Sequence, residues 1–133
     1  MTKRTHRREI AENTLAILNA GQYINASGDT IHFAELQKFA ENNTVVFTPE
    51  ASDVILREFE LTTSAHETDI EVHGLTTMDA VRKLIAEGHE NVACLNFASA
   101  KNAGGGFLGG SQAQEESIAR ATGLFPCLQN APE

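Results

Sequence analysis

The stretch Asn96–Phe125, NFASAKNAGGGFLGGSQAQEESIARATGLF, decides how this chain is to be read. It opens in an apolar run, passes through Gly104, Gly105 and Gly106, and seven residues later reaches Gln114-Glu115-Glu116, where helical spacing begins. Ala103-Gly104-Gly105-Gly106 therefore joins a strand-like run to a helix N-terminus. Glycines there can take positive φ and let backbone N–H groups approach a ligand without Cβ interference. In open α/β sheets, ligands occupy the crevice beyond the carboxyl ends of the strands, and phosphate on exposed N–H groups is the common occupant. The spacing is not the Walker pattern, because no Gly-Lys-Ser/Thr follows. Nor is it the dinucleotide fingerprint, because GxGxxG is not met in a strand-turn-helix frame. On glycine content alone, a mobile surface loop explains the run equally well.

The glutamates add what the glycines lack. One carboxylate in a helix's first turn is commonplace, since the macrodipole favours an anion there by about 0.3–1 kcal/mol. Two adjacent carboxylates beside an anion site repel the anion unless one takes up a proton when the ligand arrives. A neighbouring diphosphate favours the protonated carboxyl, whereas a helix N-terminus favours the ionised one. A protonated Glu facing a nucleotide sugar is a general acid for a glycosidic bond. Residues i and i+1 on a helix point roughly 100° apart, so the pair cannot flank one sugar carbon as in a two-carboxylate glycosidase. The pattern points to a single-Glu, oxocarbenium-like departure, with the other Glu holding the sugar.

Outward from this stretch, the 133 residues are 41% hydrophobic and 21% charged, enough for one domain with a core and too few for two ordinary ones. The spacing predicts a helix from Thr5 to Ala20 stopped by Gly21, and a β-hairpin around Asn25–Gly28. Further helices are expected over 34–43, 51–59, 75–88 and 112–122. TVVF (44–47), TDIEVHG (68–74) and NVACLNFA (91–98) read as strands, the last buried on both faces. Strand, helix, strand, loop and helix in that order imply a parallel βαβ crossover, hence an α/β fold. The final LFPCLQNAPE trails off with fewer strands than a sheet covered on both faces needs, so the fold reads as truncated on its C-terminal side.

Composition excludes several function classes. A net charge of −8 offers no long-range attraction to a polyanion, so general nucleic-acid binding is not expected. The basic run Lys3, Arg4, Arg7 and Arg8 reads as a solvated helix start, with contact to a polymer's phosphates as the alternative. The five histidines, at 6, 32, 66, 73 and 89, have no ligand-like spacing. Asp69 and Glu71 read as a solvated strand face. Cys94 and Cys127 form no CxxC pair and read as buried or half-buried thiols. No secretory signal precedes the first helix and no apolar run reaches transmembrane length, so a cytoplasmic protein without membrane contact is expected.

GGGFLGGSQAQEE resembles the GGG-x(6–8)-QEE signature of poly(ADP-ribose) glycohydrolases of the microbial type. The resemblance extends through RREIAENTLAIL, GQYINASGDTIHF, IEVHGLTTMDA and VACLNFASAKN, in the order that family uses, and so covers nearly the whole chain. It implies a macrodomain-like mixed sheet between helices, with residues 1–133 as the N-terminal portion of the catalytic domain. It implies hydrolysis of ribose–ribose O-glycosidic bonds in poly(ADP-ribose) to release ADP-ribose, with no cofactor and no metal. Poly(ADP-ribose), ADP-ribose and ADP-ribosylated proteins are the implied partners. By resemblance Glu116 is the catalytic acid/base, Glu115 orients the ribose hydroxyls, and Gly104, Gly105 and Gly106 form the diphosphate loop. Asn102 is placed to reach the sugar, and Gln114 is either an adenosine-side contact or a helix cap. Ala103 stands where the family usually has Pro, and Ser111 where it tends to have Ala. The family's second half, with more strands and a second phosphate loop, has no counterpart in the sequence. The alternatives are a non-catalytic ADP-ribose-binding fragment and a fragment whose sheet edge pairs with another chain.

Overall fold

The computed structural model describes residues 2–59, 67–129 and 131. Helix α1, Lys3–Ala20, begins at Thr2, whose hydroxyl accepts the Thr5 N–H, and ends at Gly21, whose N–H reaches the Ile17 and Leu18 carbonyls. Strands β1, Gln22–Ile24, and β2, Thr30–His32, pair antiparallel with Tyr23 opposite Ile31. Asn25 closes their turn by accepting the Ser27 and Asp29 N–H groups on Oδ1, the local bonding that makes Asn a turn residue. Four helices follow: α2 (Ala34–Asn42), α3 (Pro49–Glu58), α4 (Thr77–Ala86) and α5 (Gln114–Ala121). A 3-10 turn, Phe107–Gly109, precedes α5, and α6, Leu124–Gln129, follows it. Thr48 and Thr76 cap α3 and α4, each accepting the N–H three residues on.

Helix α6 was not expected from the sequence, which read LFPCLQNAPE as a trailing end and contains Pro126. That proline is the third residue of α6, within the first turn, where a missing N–H removes no intrahelical bond.

The core lies directly behind the glycine-rich loop. Phe107 is buried together with Ala11 of α1 and Ala119 of α5, and Leu15 and Phe125 pack against them. The Phe107 and Phe125 rings stand 4.8 Å apart at 57°, a tilted arrangement that suits the aromatic quadrupole. Removing one such phenyl ring from water contributes about 2–3 kcal/mol. The same contact anchors the loop, because Phe107 follows Gly106 in sequence.

The α/β class holds, as helices with a small sheet. The hairpin is the one paired sheet among the described residues. Segments 44–47, 68–74 and 91–98, expected as strands, form no strand ladder, and the parallel crossover is not made. Ile70 and Val72 are 81% and 94% exposed, and Leu95 and Phe97 70% and 72%, so the segment 91–98 is not buried on both faces. Alternation in sequence records a residue's fitness for a sheet surface, whereas a strand exists only where a neighbour supplies its hydrogen bonds. Cys94 lies in this unpaired segment and is exposed, contrary to the buried thiol expected, while Cys127 is half-buried. Among the described residues, no helix is long and apolar enough to cross a membrane.

Candidate active site

The loop and the first turn of α5 face each other. Gly104 and Gly105 take φ of 69° and 59°, a conformation that costs an L-residue about 1–2 kcal/mol. Gly105 is further constrained by its neighbours. A Cβ there would stand 2.7 Å from Glu116 Oε1 and 3.1 Å from Glu115 Oε2. Both carboxylates thus converge on the backbone of one glycine.

Glu115 is 3% exposed. Its Oε2 accepts the Ser99 N–H at 2.8 Å, while Oε1 is buried with no hydrogen-bond partner among the described residues. Leaving a buried acceptor unsatisfied costs about 1–3 kcal/mol, and more when it carries charge. Glu116 is half-buried, and its Oε1 accepts the Gly106 N–H at 3.1 Å. The two carboxylates meet at Gly105 but take different backbone donors, Glu115 the Ser99 N–H and Glu116 the Gly106 N–H.

Asn102 closes the entrance to the loop. Its carbonyl accepts the Gly105 N–H at 2.9 Å, its own N–H donates to Ser99 Oγ at 3.3 Å, and its side chain is exposed. Of the two roles expected for Gln114, the structure does not give the helix cap, because Ala113 is the N-cap and makes no side-chain cap bond. The Gln114 amide instead ties the segment 91–98 to the rest of the molecule. Oε1 accepts the Phe97 N–H at 2.8 Å, and Nε2 donates to the Leu95 carbonyl at 2.6 Å and to Thr77 Oγ1 at 3.2 Å. Both of its N–H donors and one of its two acceptor lone pairs thus face protein.

Sequence reading missed three contributors. Ser99 supplies a backbone N–H to Glu115, and backbone donors leave no mark in residue type. Asn96 presents a buried Oδ1 without a partner among the described residues. Arg120 lies one helical turn beyond Glu116, and that i, i+4 spacing was the available signal. Burial and the neighbouring Arg7 lower the Arg120 guanidinium from its ordinary range, with Glu116 opposing them. The basic run at the chain start is not uniformly solvated, since Arg4 and Arg7 hydrogen-bond to loop carbonyls while Arg8 pairs with Glu12. His73 pairs with Glu71 on the surface, and His66 lies outside the described residues. Among the described residues, no group of three His, Cys, Asp or Glu side chains is disposed to hold a metal ion.

Residues 11–133 match the family described as microbial-type PARG, catalytic domain. Among solved structures, the poly(ADP-ribose) glycohydrolase (PARG) from Thermomonospora curvata is similar at 40% identity and a TM-score of 0.90, over 95% of this chain and 46% of that one. The same enzyme bound to the inhibitor ADP-HPD is similar at 40% identity and a TM-score of 0.85, over 95% of this chain and 44% of that one. The chain thus spans less than half the length of these solved relatives. No curated protein matches it.

Proposed function

The chain belongs to the microbial-type PARG catalytic-domain family, and on that footing we propose that the loop and the glutamate pair form a poly(ADP-ribose) glycohydrolase site. The site hydrolyses ribose–ribose O-glycosidic bonds and releases ADP-ribose. The observation that carries this reading is the buried Glu115 carboxylate beside the glycine loop, whose Oε1 has no hydrogen-bond partner among the described residues. A buried acceptor held open at that cost suits a ribose hydroxyl, which donates the hydrogen bond the protein withholds.

In this reading the Gly104–Gly106 backbone carries the diphosphate and Glu115 orients the ribose. Glu116 donates its proton to the departing ribose oxygen as the glycosidic bond breaks and oxocarbenium character develops. The resulting carboxylate then takes a proton from the attacking water, which restores the acid. Asn102, at the loop entrance, contacts the sugar. Gln114 acts by position, holding the segment 91–98 against α5. No cofactor enters the scheme, residues 1–133 act as one part of a macrodomain-like catalytic domain, and the setting is cytoplasmic. Poly(ADP-ribose) on modified proteins is the corresponding partner class.

A second reading is retention of ADP-ribose without turnover, for which the glycine loop and the open Glu115 acceptor suffice and no proton donor is needed. The test is ADP-ribose release from poly(ADP-ribose) by the chain and by its Glu116→Gln form, with ADP-ribose binding measured by calorimetry. Turnover that vanishes in E116Q, with binding retained, supports the glycohydrolase. Binding without turnover in the unaltered chain supports retention alone. Absence of both overturns the site.

A further inference from the structure

We infer that Arg7, seconded by Arg4 and Arg120, is a positioning residue that orders the Gly104–Gly106 loop from behind and so sets its affinity for a diphosphate. The diphosphate rests on the reading above; the ordering does not. Three arginines from two helices take three consecutive carbonyls of the limb that leaves the loop. Arg4 Nε donates to Gly109 O at 2.9 Å, Arg7 Nε to Gly110 O at 2.8 Å, and Arg120 Nη1 to Ser111 O at 2.8 Å. Gly110 is buried with φ 74°, and a Cβ there would collide with the Arg4 carbonyl, so α1 lies directly on the limb. None of the three guanidinium groups forms an ion pair among the described residues.

The limb passes this hold on to the glycines through whole peptide groups. In a trans peptide, the C=O of one residue and the N–H of the next point in opposite directions. Arg7 grips the Gly110 carbonyl, and the N–H of the same peptide, that of Ser111, donates to Gly106 O at 3.1 Å. The next N–H, that of Phe107, donates to Gly104 O at 3.3 Å, and the N–H beyond it, that of Gly105, donates to Asn102 O at 2.9 Å. Four hydrogen bonds thus run in one direction from a cation to the loop entrance, each polarising the next. Their common orientation keeps Gly104 and Gly105 in their left-handed conformation, with the Gly106 N–H turned to Glu116. A charge-assisted bond at the head of the chain is the strongest link and the natural one to cut.

The test uses the 15N-glycine-labelled chain, with Arg7→Met compared against Arg8→Met, which alters the same helix but removes only the exposed Arg8–Glu12 pair. The glycine amide resonances and ADP-ribose affinity are read for each. R7M is expected to shift the Gly105 and Gly106 resonances and to weaken ADP-ribose binding about tenfold, with R8M changing neither. Shifted resonances in R7M, in a chain that never binds ADP-ribose, would uphold the ordering and remove the diphosphate reading. Unmoved loop resonances with unchanged affinity would overturn the inference. Should R7M not fold, Arg7→Lys, which retains the cation without the Nε donor, carries the same comparison against Arg8→Lys.

Discussion

Gly105→Ala separates what the loop needs in order to fold from what it needs in order to act. The natural reference is Gly28→Ala in the hairpin turn. Gly28 has φ 89°, and a Cβ added there would meet nothing within 4 Å, so its alanine meets conformational strain alone. Alanine at position 105, φ 59°, meets a similar strain of about 1–2 kcal/mol. It also brings Cβ to 2.7 Å from Glu116 Oε1 and 3.1 Å from Glu115 Oε2, well inside contact distance. Backbone on both sides is held by the Phe107 anchor and the Asn102 bond, so the carboxylates have to yield. Glu116 can swing towards water, at the loss of its bond from the Gly106 N–H, a charge-assisted contact contributing about 1.5 kcal/mol. G105A is therefore expected to be about 1.5 kcal/mol less stable than G28A in urea titrations. A displacement approaching 1 Å at the proposed acid lowers ADP-ribose release about a hundredfold. G28A should retain the wild-type rate. Equal stability and equal turnover in the two variants would refute the packing of both carboxylates on Gly105, and the site built on it.

Other expectations follow from single contacts. Glu115→Gln removes a buried charge at nearly constant volume and is expected to raise the thermal midpoint while weakening ADP-ribose binding; a lowered midpoint would count against the strained carboxylate. Gln114→Ala should release the segment 91–98, costing about 2 kcal/mol and speeding hydrogen exchange at the Phe97 amide, which donates to Gln114. Phe107→Ala empties the centre of the small core and is expected to cost about 3–5 kcal/mol, read by denaturant unfolding. Ile70, Val72, Leu95 and Phe97 present apolar side chains on unpaired segments, so sedimentation should show concentration-dependent association that Phe97→Lys reduces.

Local chemistry alone settled helices α1 to α5. Thr76, the apolar positions of α4 and the Gly21 stop are signals read within one or two turns, and each element they mark is present. The Asn25 turn is equally local. The Gly-rich loop and the Gln114-Glu115-Glu116 turn were also legible, because positive φ and paired carboxylates at a helix start are written in residue type. Strand pairing was not, since segment 68–74 has the alternation of a strand and 91–98 the apolar run of one, but both need partners distant in sequence, and no described residues pair with them. Contacts spanning the chain decided the interior of the site. Only folding brings Arg4 and Arg7 to the carbonyls of Gly109 and Gly110, or the Ser99 N–H to Glu115. Residue type states what a side chain can donate or accept. Which backbone group it meets is set by how α1, the loop and α5 pack around Phe107, and that is a property of the tertiary structure.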